Sequence, residues 1–335
     1  MKRTLGRHQI TRREALRAIS LLTAGGLAAC ATPTPRTVEK VVEVPVEVTR
    51  IVEKPVEVTR AVAATEKPVE AAPTAVPPID IKKTEVERLV VPTPIGGARP
   101  QNNNALIWYV DIEHEKVLND PHRAPGHFQV REERTRILGR IAGVRSEAIR
   151  YTDVSEALAQ EKGVRAIAIS GNVTDWEEYD FKSFQPLFDL LCAGRIPVIG
   201  LCGGHQLIGL AYGAEAGPIR RLEPGEADDP NAGFAPGWFK EYGYLPVQIV
   251  EDDPLFAGLG SYIVVFESHY WEIKTLPAEF DLLASRDTCR VQVMRHKEYP
   301  IYGTQFHPEV HTSIYPDGAL LLANFFRVAG ILPPT

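Results

Sequence analysis

Three things are scarce in this sequence. Cysteine is the first: Cys30, Cys192, Cys202 and Cys289 are all there are in 335 residues, and no two make a C-x-x-C pair. That excludes a disulfide-built fold and a cysteine zinc cluster. Long apolar runs are the second. Ala18 to Ala29 is apolar over about twelve residues, against the ~20 that cross a bilayer. Positive charge in excess is the third. Lysine and arginine total 37 against 43 aspartates and glutamates, a formal net charge of −6, which excludes nucleic-acid binding driven by bulk charge. Proline, by contrast, is plentiful at 27 residues and crowds into the first hundred, implying a non-globular N-terminal stretch and a compact remainder.

Residues 1–29 are basic, then apolar, then small. The run ends Leu27-Ala28-Ala29-Cys30, which resembles a bacterial lipoprotein signal. Lipid on the Cys30 thiol would follow, with Cys30 as the new N-terminus. Thr11-Arg12-Arg13 resembles a twin-arginine signal, the kind that exports folded proteins. The expectation is an exported lipoprotein on the extracytoplasmic side, held to the membrane through Cys30. Losing the basic leader leaves a still more acidic body, which gains nothing from anionic lipid.

Residues 30–102 form a second zone. Val42 to Ile51 recurs almost unchanged as Val52 to Ala61. The valines alternate as in a strand, but Pro45 and Pro55 interrupt them and no bulky aromatic is present to make a core. The segment reads as an extended tether, with a small self-associating β stack as the alternative.

From residue 103 to 332 the pattern is that of a globular domain. Ala105 to Val110, Arg165 to Ser170 and Ile196 to Leu201 read as buried strands. Phe128 to Ile141 and Phe181 to Ala193 read as helices between them. Continuous apolar strands alternating with helices imply an α/β fold with a mostly parallel, helix-flanked sheet. Past Gly213, strands are expected at Leu245 to Val250, Tyr262 to Phe266, Leu282 to Ser285, Val291 to Met294 and Ile301 to Phe306. These make an antiparallel β extension, closed by a helix from Gly318 to Val328.

Two stretches carry chemistry. In Ile199 to Gln206 a buried strand runs into Cys202, then two glycines, then a helix. Such a turn needs small flanking residues, here Gly200 and Gly204. It puts Cys202 at a helix N-terminus, which favours thiolate, and turns the Gly203 N–H toward the same corner, where it can stabilise an oxyanion. In Tyr302 to Glu309 a strand delivers His307 and, two residues on, Glu309. On extended chain the two point the same way, so a carboxylate can fix the tautomer of a base that serves the thiol.

Together these stretches resemble the class I glutamine amidotransferases. The family's Gly-x-Cys-x-Gly-x-Gln stands at Gly200, Cys202, Gly204 and Gln206, and its Gln-Phe-His-Pro-Glu at Gln305 to Glu309. The resemblance covers roughly residues 105–330 and implies a flavodoxin-like sheet with a Cys202–His307–Glu309 triad. It also implies a second oxyanion donor from the Gly171-Asn172 turn, where Asn172 replaces the family's second glycine. Gln206, Ser268 and His269 are the implied glutamyl-binding residues. The implied reaction is attack on the γ-amide of glutamine or of a γ-glutamyl compound, through a thioester, with no cofactor and no metal. An ammonia-donating subunit of an unknown protein partner and a catalytically idle binding lipoprotein are the alternatives. His307 and His311 are four apart, but Pro308 spoils the helix a metal pair needs. His114, His122 and His127 read as solvated loop histidines, and Cys192 and Cys289 as structural. Glu223 to Phe239 reads as a surface loop, with a substrate lid as the alternative.

Overall fold

The computed structural model describes residues 105–334. The leader, Cys30 and the tether lie outside the described residues. Leu106–Asp111 (β1) is the first element of the described residues and is buried along its whole length. Glu115–Leu118 (α1) and Ala124–Ala142 (α2) follow, then Arg145–Arg150 (β2), Glu156–Lys162 (α3) and Val164–Ile169 (β3). Gln185–Ala193 (α4) leads to Val198–Leu201 (β4), Gly203–Ala211 (α5) and the short Ala216–Pro218 (β5). Glu241–Ile249 (β6), Tyr262–His269 (β7), Trp271–Ile273 (β8), Phe280–Ser285 (β9), Val293–His296 (β10) and Ile301–Thr304 (β11) come next, and Asp317–Val328 (α6) ends the domain.

Nine strands form one sheet in the order β2-β1-β3-β4-β11-β10-β9-β6-β7. The pairs from β2 to β11 are parallel, and those from β11 to β7 are antiparallel. The α/β sheet with its antiparallel extension is therefore as expected. β5 and β8 form a separate two-stranded sheet.

Alternation along β1 sends side chains to two cores. Leu106, Trp108 and Val110 pack with α4 and α5 residues such as Leu187, Leu191 and Leu207. Ile107 and Tyr109 pack with Leu138 of α2 and with Phe325 and Phe326 of α6. Helices thus cover both faces, and the crevice at the carboxyl ends of the parallel strands is where such sheets hold ligands.

The differences from expectation have local causes. β2 and α3 carry no strong apolar pattern, because β2 is an edge strand with only part-buried or exposed positions. β4 starts two residues late, after Pro197, which has no N–H to give the ladder. α2 starts earlier than Phe128, with proline in its first turn. His127 therefore lies on a helix, not in a loop, and its Nε2 is 3.0 Å from Oδ2 of the buried Asp111. His114 caps α1, and His122 is exposed.

Candidate active site

Cys202 sits between β4 and α5 with φ 51° and ψ −103°, one of two non-glycine residues with positive φ among those described. The strain is held by packing on every side. Its N–H donates to the Thr304 carbonyl at 2.8 Å, continuing the β4–β11 ladder. A Cβ at Gly200 would lie 2.5 Å from the Gly204 carbonyl carbon, and one at Gly204 would lie 2.5 Å from the Ile169 carbonyl oxygen. Only glycine allows β3, β4 and the start of α5 to approach this closely.

His307 is anchored from the other side. Its N–H donates to the Phe266 carbonyl at 2.8 Å, an isolated bridge to β7. Its Nδ1 lies 2.8 Å from Glu309 Oε1. The two meet through a turn, not along extended chain: β11 stops at Thr304, and the Val310 N–H donates back to the His307 carbonyl at 3.0 Å. Pro308, lacking an N–H, suits a turn better than a sheet ladder. Glu309 is 2% exposed, and the His307 side chain keeps 19%.

Burial pushes the His307 imidazolium down, but the Glu309 charge and Cys202 outweigh it and raise its pKa to about 10. Burial likewise pushes the Glu309 carboxyl up. The His307 charge and hydrogen bond, with the Arg134 charge, outweigh that and hold it below its usual range. Arg134 of α2 also reaches the Glu309 carbonyl at 3.4 Å, across 175 residues of chain.

Gly171 lies between these groups. A Cβ there would sit 3.2 Å from His307 Cε1 and 3.6 Å from Cys202 Cβ. A Cβ at Gly203 would overlap the Asn172 side-chain oxygen and lie 3.0 Å from the Asn172 nitrogen. The Gly171-Asn172 turn and the first residue of α5 are therefore in contact. The Asn172 amide nitrogen donates to the Thr174 carbonyl at 2.6 Å, while buried Glu113 takes hydrogen bonds from the Val173 N–H and the Thr174 hydroxyl, both at 2.8 Å. The turn is thus fixed from the end of β1.

A cavity of about 360 Å³ opens beside Cys202. Gly203, Asn172, Gln206, Ser268 and His269, all singled out from sequence, line it. Gln206 does so with its amide already engaged. Its nitrogen donates to the Trp271 carbonyl at 2.9 Å and to Gln305 Oε1 at 3.1 Å, and its oxygen accepts from Trp176 Nε1 at 2.8 Å. Gln305 in turn points its amide nitrogen at Cys202 Sγ, 3.7 Å away. Trp176, Gln206 and Gln305 form a relay of oriented dipoles that ends on the thiol. The Cys202 thiol faces the Ser268 carbonyl at 4.0 Å.

His269 belongs to a second buried cluster. Its Nδ1 lies 2.8 Å from the Trp271 carbonyl oxygen, and its Nε2 lies 3.0 Å from Glu241 and 3.1 Å from Glu267. Glu241 also accepts from Arg286 at 2.8 Å, Gln292 at 2.7 Å and the Thr288 hydroxyl. Burial raises the Glu241 carboxyl, but His269, Arg286 and Thr288 outweigh it and bring it to about 2. Burial holds Glu267 above its usual range. Glu241, His269 and Cys289 each offer an atom within 4.8 Å of the others. Because Glu241 has hydrogen-bonding partners on both oxygens, the cluster has the chemistry of an ion-pair hub, not of an open metal site. His311 lies apart from it, its Nδ1 3.1 Å from the Pro308 carbonyl oxygen.

Sequence reasoning missed Glu113, Arg134, Trp176, Glu241 and Glu267. Arg134, Trp176 and Glu241 lie far along the chain from the motifs. Glu113, just past the carboxyl end of a buried strand, and Glu267, next to Ser268-His269 on an alternating strand, carried a usable signal.

The α/β domain thus carries a strained cysteine after a central strand and a His–Glu pair after the neighbouring one. Residues 133–329 match the family model for glutamine amidotransferase class-I, and the chain belongs to that family. A glutamine-hydrolyzing GMP synthase subunit from Methanocaldococcus jannaschii is 34% identical over 188 residues, covering 56% of this chain and 86% of that relative. The like-named protein from Pyrococcus furiosus is 41% identical over 139 residues, covering 41% of this chain and 63% of that relative. The crystal structure of a candidate GMP synthase subunit from Thermoplasma acidophilum superposes with a TM-score of 0.51 at 27% identity. It covers 68% of this chain and 96% of that one.

Proposed function

We propose that the protein is a glutaminase that cleaves the γ-amide of glutamine, or of a γ-glutamyl compound, through a thioester on Cys202. One observation carries the reading: His307 is hydrogen-bonded to buried Glu309, interacts with Cys202, which lines the cavity, and is held strongly basic. His307 takes the Cys202 thiol proton, the sulfur attacks the γ-carbonyl carbon and the carbonyl electron pair moves to oxygen. The N–H groups of Gly203 and Asn172 take up that charge. As the tetrahedral species collapses and the carbonyl re-forms, His307 gives that proton to the amide nitrogen, the C–N bond breaks and ammonia leaves. Water then attacks the thioester, His307 takes its proton, and the acid and the thiol are released. Glu309 keeps the His307 tautomer and orientation throughout. Gln206 supports the site by holding Trp176, Trp271 and Gln305 in place. The test is ammonia release from glutamine by the wild type and by Cys202→Ser, with equal rates refuting the reading.

The relatives' naming as GMP synthase subunits favours a second version, in which the ammonia passes to an acceptor enzyme. A glutaminase rate that stays low until a partner is added would select that version. The leader adds a proposal about place: lipid on Cys30 holds the enzyme on the extracytoplasmic face. Mass analysis of the N-terminal peptide, with Cys30→Ser as control, tests it.

A further inference from the structure

We infer that Asp175, Tyr270 and Phe234 form a corner of the cavity that reads a primary ammonium group on the substrate. The inference rests on the glutaminase reading for what enters the cavity. It begins with the charges available there. Among the described residues no arginine or lysine lines the cavity, and Asp175 is its only carboxylate. The other polar side chains are largely engaged: Gln206 and Asn172 by the bonds above, His269 by Glu241, Glu267 and the Trp271 carbonyl. Asp175 is different. It stands at the N-terminus of the short helical turn Trp176–Glu178 without capping it, and among the described residues no basic side chain pairs with it. Its hydrogen-bond partner is the Tyr270 hydroxyl.

Aromatic rings complete the corner. The Phe234 ring lies 6.2 Å from that of Tyr270, and Trp238 lies 6.4 Å from it. The carboxylate of Asp175 favours a cation by charge, and the Phe234 and Tyr270 rings wall the corner, while the Trp238 ring already stacks with Arg221 and the Lys240 ammonium lies 5.9 Å from the Phe234 centroid. The segment that brings Phe234 in is pinned. Asp228 accepts from Lys240 and from the Gly237 N–H at 2.8 Å. Arg221 stacks 3.8 Å over Trp238, and Arg220 lies 4.1 Å over Phe239 while pairing with Glu226 at 2.6 Å. Phe234, Ala235 and Pro236 therefore form a fixed wall of the cavity.

Two sources supply such an ammonium: the α-amino group of the glutamyl moiety, or a second amine on the leaving group. Binding to the full chain carrying Cys202→Ala, measured by calorimetry, needs no turnover and separates them. Glutamine is compared with glutaramate, which lacks the α-amino group. γ-Glutamylputrescine is compared with γ-glutamylbutylamide, which lacks the distal one. In at least one pair the ammonium-bearing ligand should bind roughly ten- to a hundredfold more tightly, the value of a charge-assisted bond. Adding Asp175→Asn, which keeps the shape and an acceptor for Tyr270, should erase that ratio and leave the ammonium-free ligand unchanged. Phe234→Ala should reduce the ratio without altering the fold, and serves if the Asn variant is unstable. Ratios that persist in Asp175→Asn, equal weakening of both members of a pair, or no preference in either pair would overturn the inference. Loss of hydrolysis in the wild type with the ratio intact would sink the glutaminase reading and leave the ammonium corner standing.

Discussion

Replacing Glu309 with glutamine keeps the shape of the His307 partner and removes its charge. The contact is 2.8 Å long and the carboxylate is 2% exposed, so water cannot substitute for it. A hydrogen bond to a charged group is worth about 1.5–3 kcal/mol. At about 1.36 kcal/mol per decade that alone is a loss of roughly 10–10² in kcat. The corresponding change in a serine triad costs ~10⁴, but a thiol depends less on its base. The expected loss is therefore about 10–10³ in kcat, with KM little changed. The pH profile should move as well. The fold holds His307 protonated, an advantage complete below the ordinary histidine range and lost as pH rises through about 10. Without the Glu309 charge, burial still pushes the imidazolium down and less opposes it. The alkaline limb of kcat should fall by about 1–2 pH units, the same bond energy expressed as a pKa shift. Ammonia release from glutamine, followed from neutral to strongly alkaline pH, reads both quantities. A Glu309→Gln enzyme with kcat within about twofold of wild type and an unmoved alkaline limb would refute the arrangement.

Other expectations are independent of that one. Iodoacetamide should alkylate Cys202 ahead of Cys289, which is fully buried with its thiol pushed up by burial; peptide mapping showing Cys289 modified first would contradict the site. Gly204→Ala places a Cβ 2.5 Å from the Ile169 carbonyl oxygen and should cost about 1–3 kcal/mol in urea unfolding, with a fall in kcat as the Cys202 turn shifts. Glu241→Gln leaves His269 and Arg286 without their main counter-charge. It should cost about 3–5 kcal/mol, measured by the same unfolding assay, and a change under about 1 kcal/mol would mean Glu267 ionises in its place.

The parts of this protein legible from sequence are those written in local spacing. A continuous apolar strand followed by Gly-x-Cys-Gly-Gly dictates a tight turn into a helix, because a larger side chain at Gly204 would strike β3. The buried strands were equally readable, since burial on both faces leaves an unbroken apolar run, whereas the edge strand β2 and the short α3 were not. His307 and Glu309 were readable as a pair, but the means of their meeting was not. Pro308 turns the chain where alternation along a strand was expected.

What only the tertiary structure decided are encounters between distant segments that no periodicity encodes. Arg134 of α2 reaches the Glu309 carbonyl across 175 residues of chain, and Gln305 reaches Cys202 because β11 lies beside β4. The alternation of β7 predicts that Glu267 and His269 face inward with Ile263 and Val265, yet nothing in it says they meet Glu241 and Arg286 there. Gln206 sits in its motif where the family resemblance puts a substrate contact. The packing of Trp176 and Trp271 against it decides that its amide is already engaged. The strap from Glu223 to Phe239 carries no pattern of its own. Its pairs, Asp228 with Lys240, Arg220 with Glu226 and Arg221 with Trp238, are local, and its place as a wall of the cavity follows from Phe234 meeting Tyr270 in the folded chain.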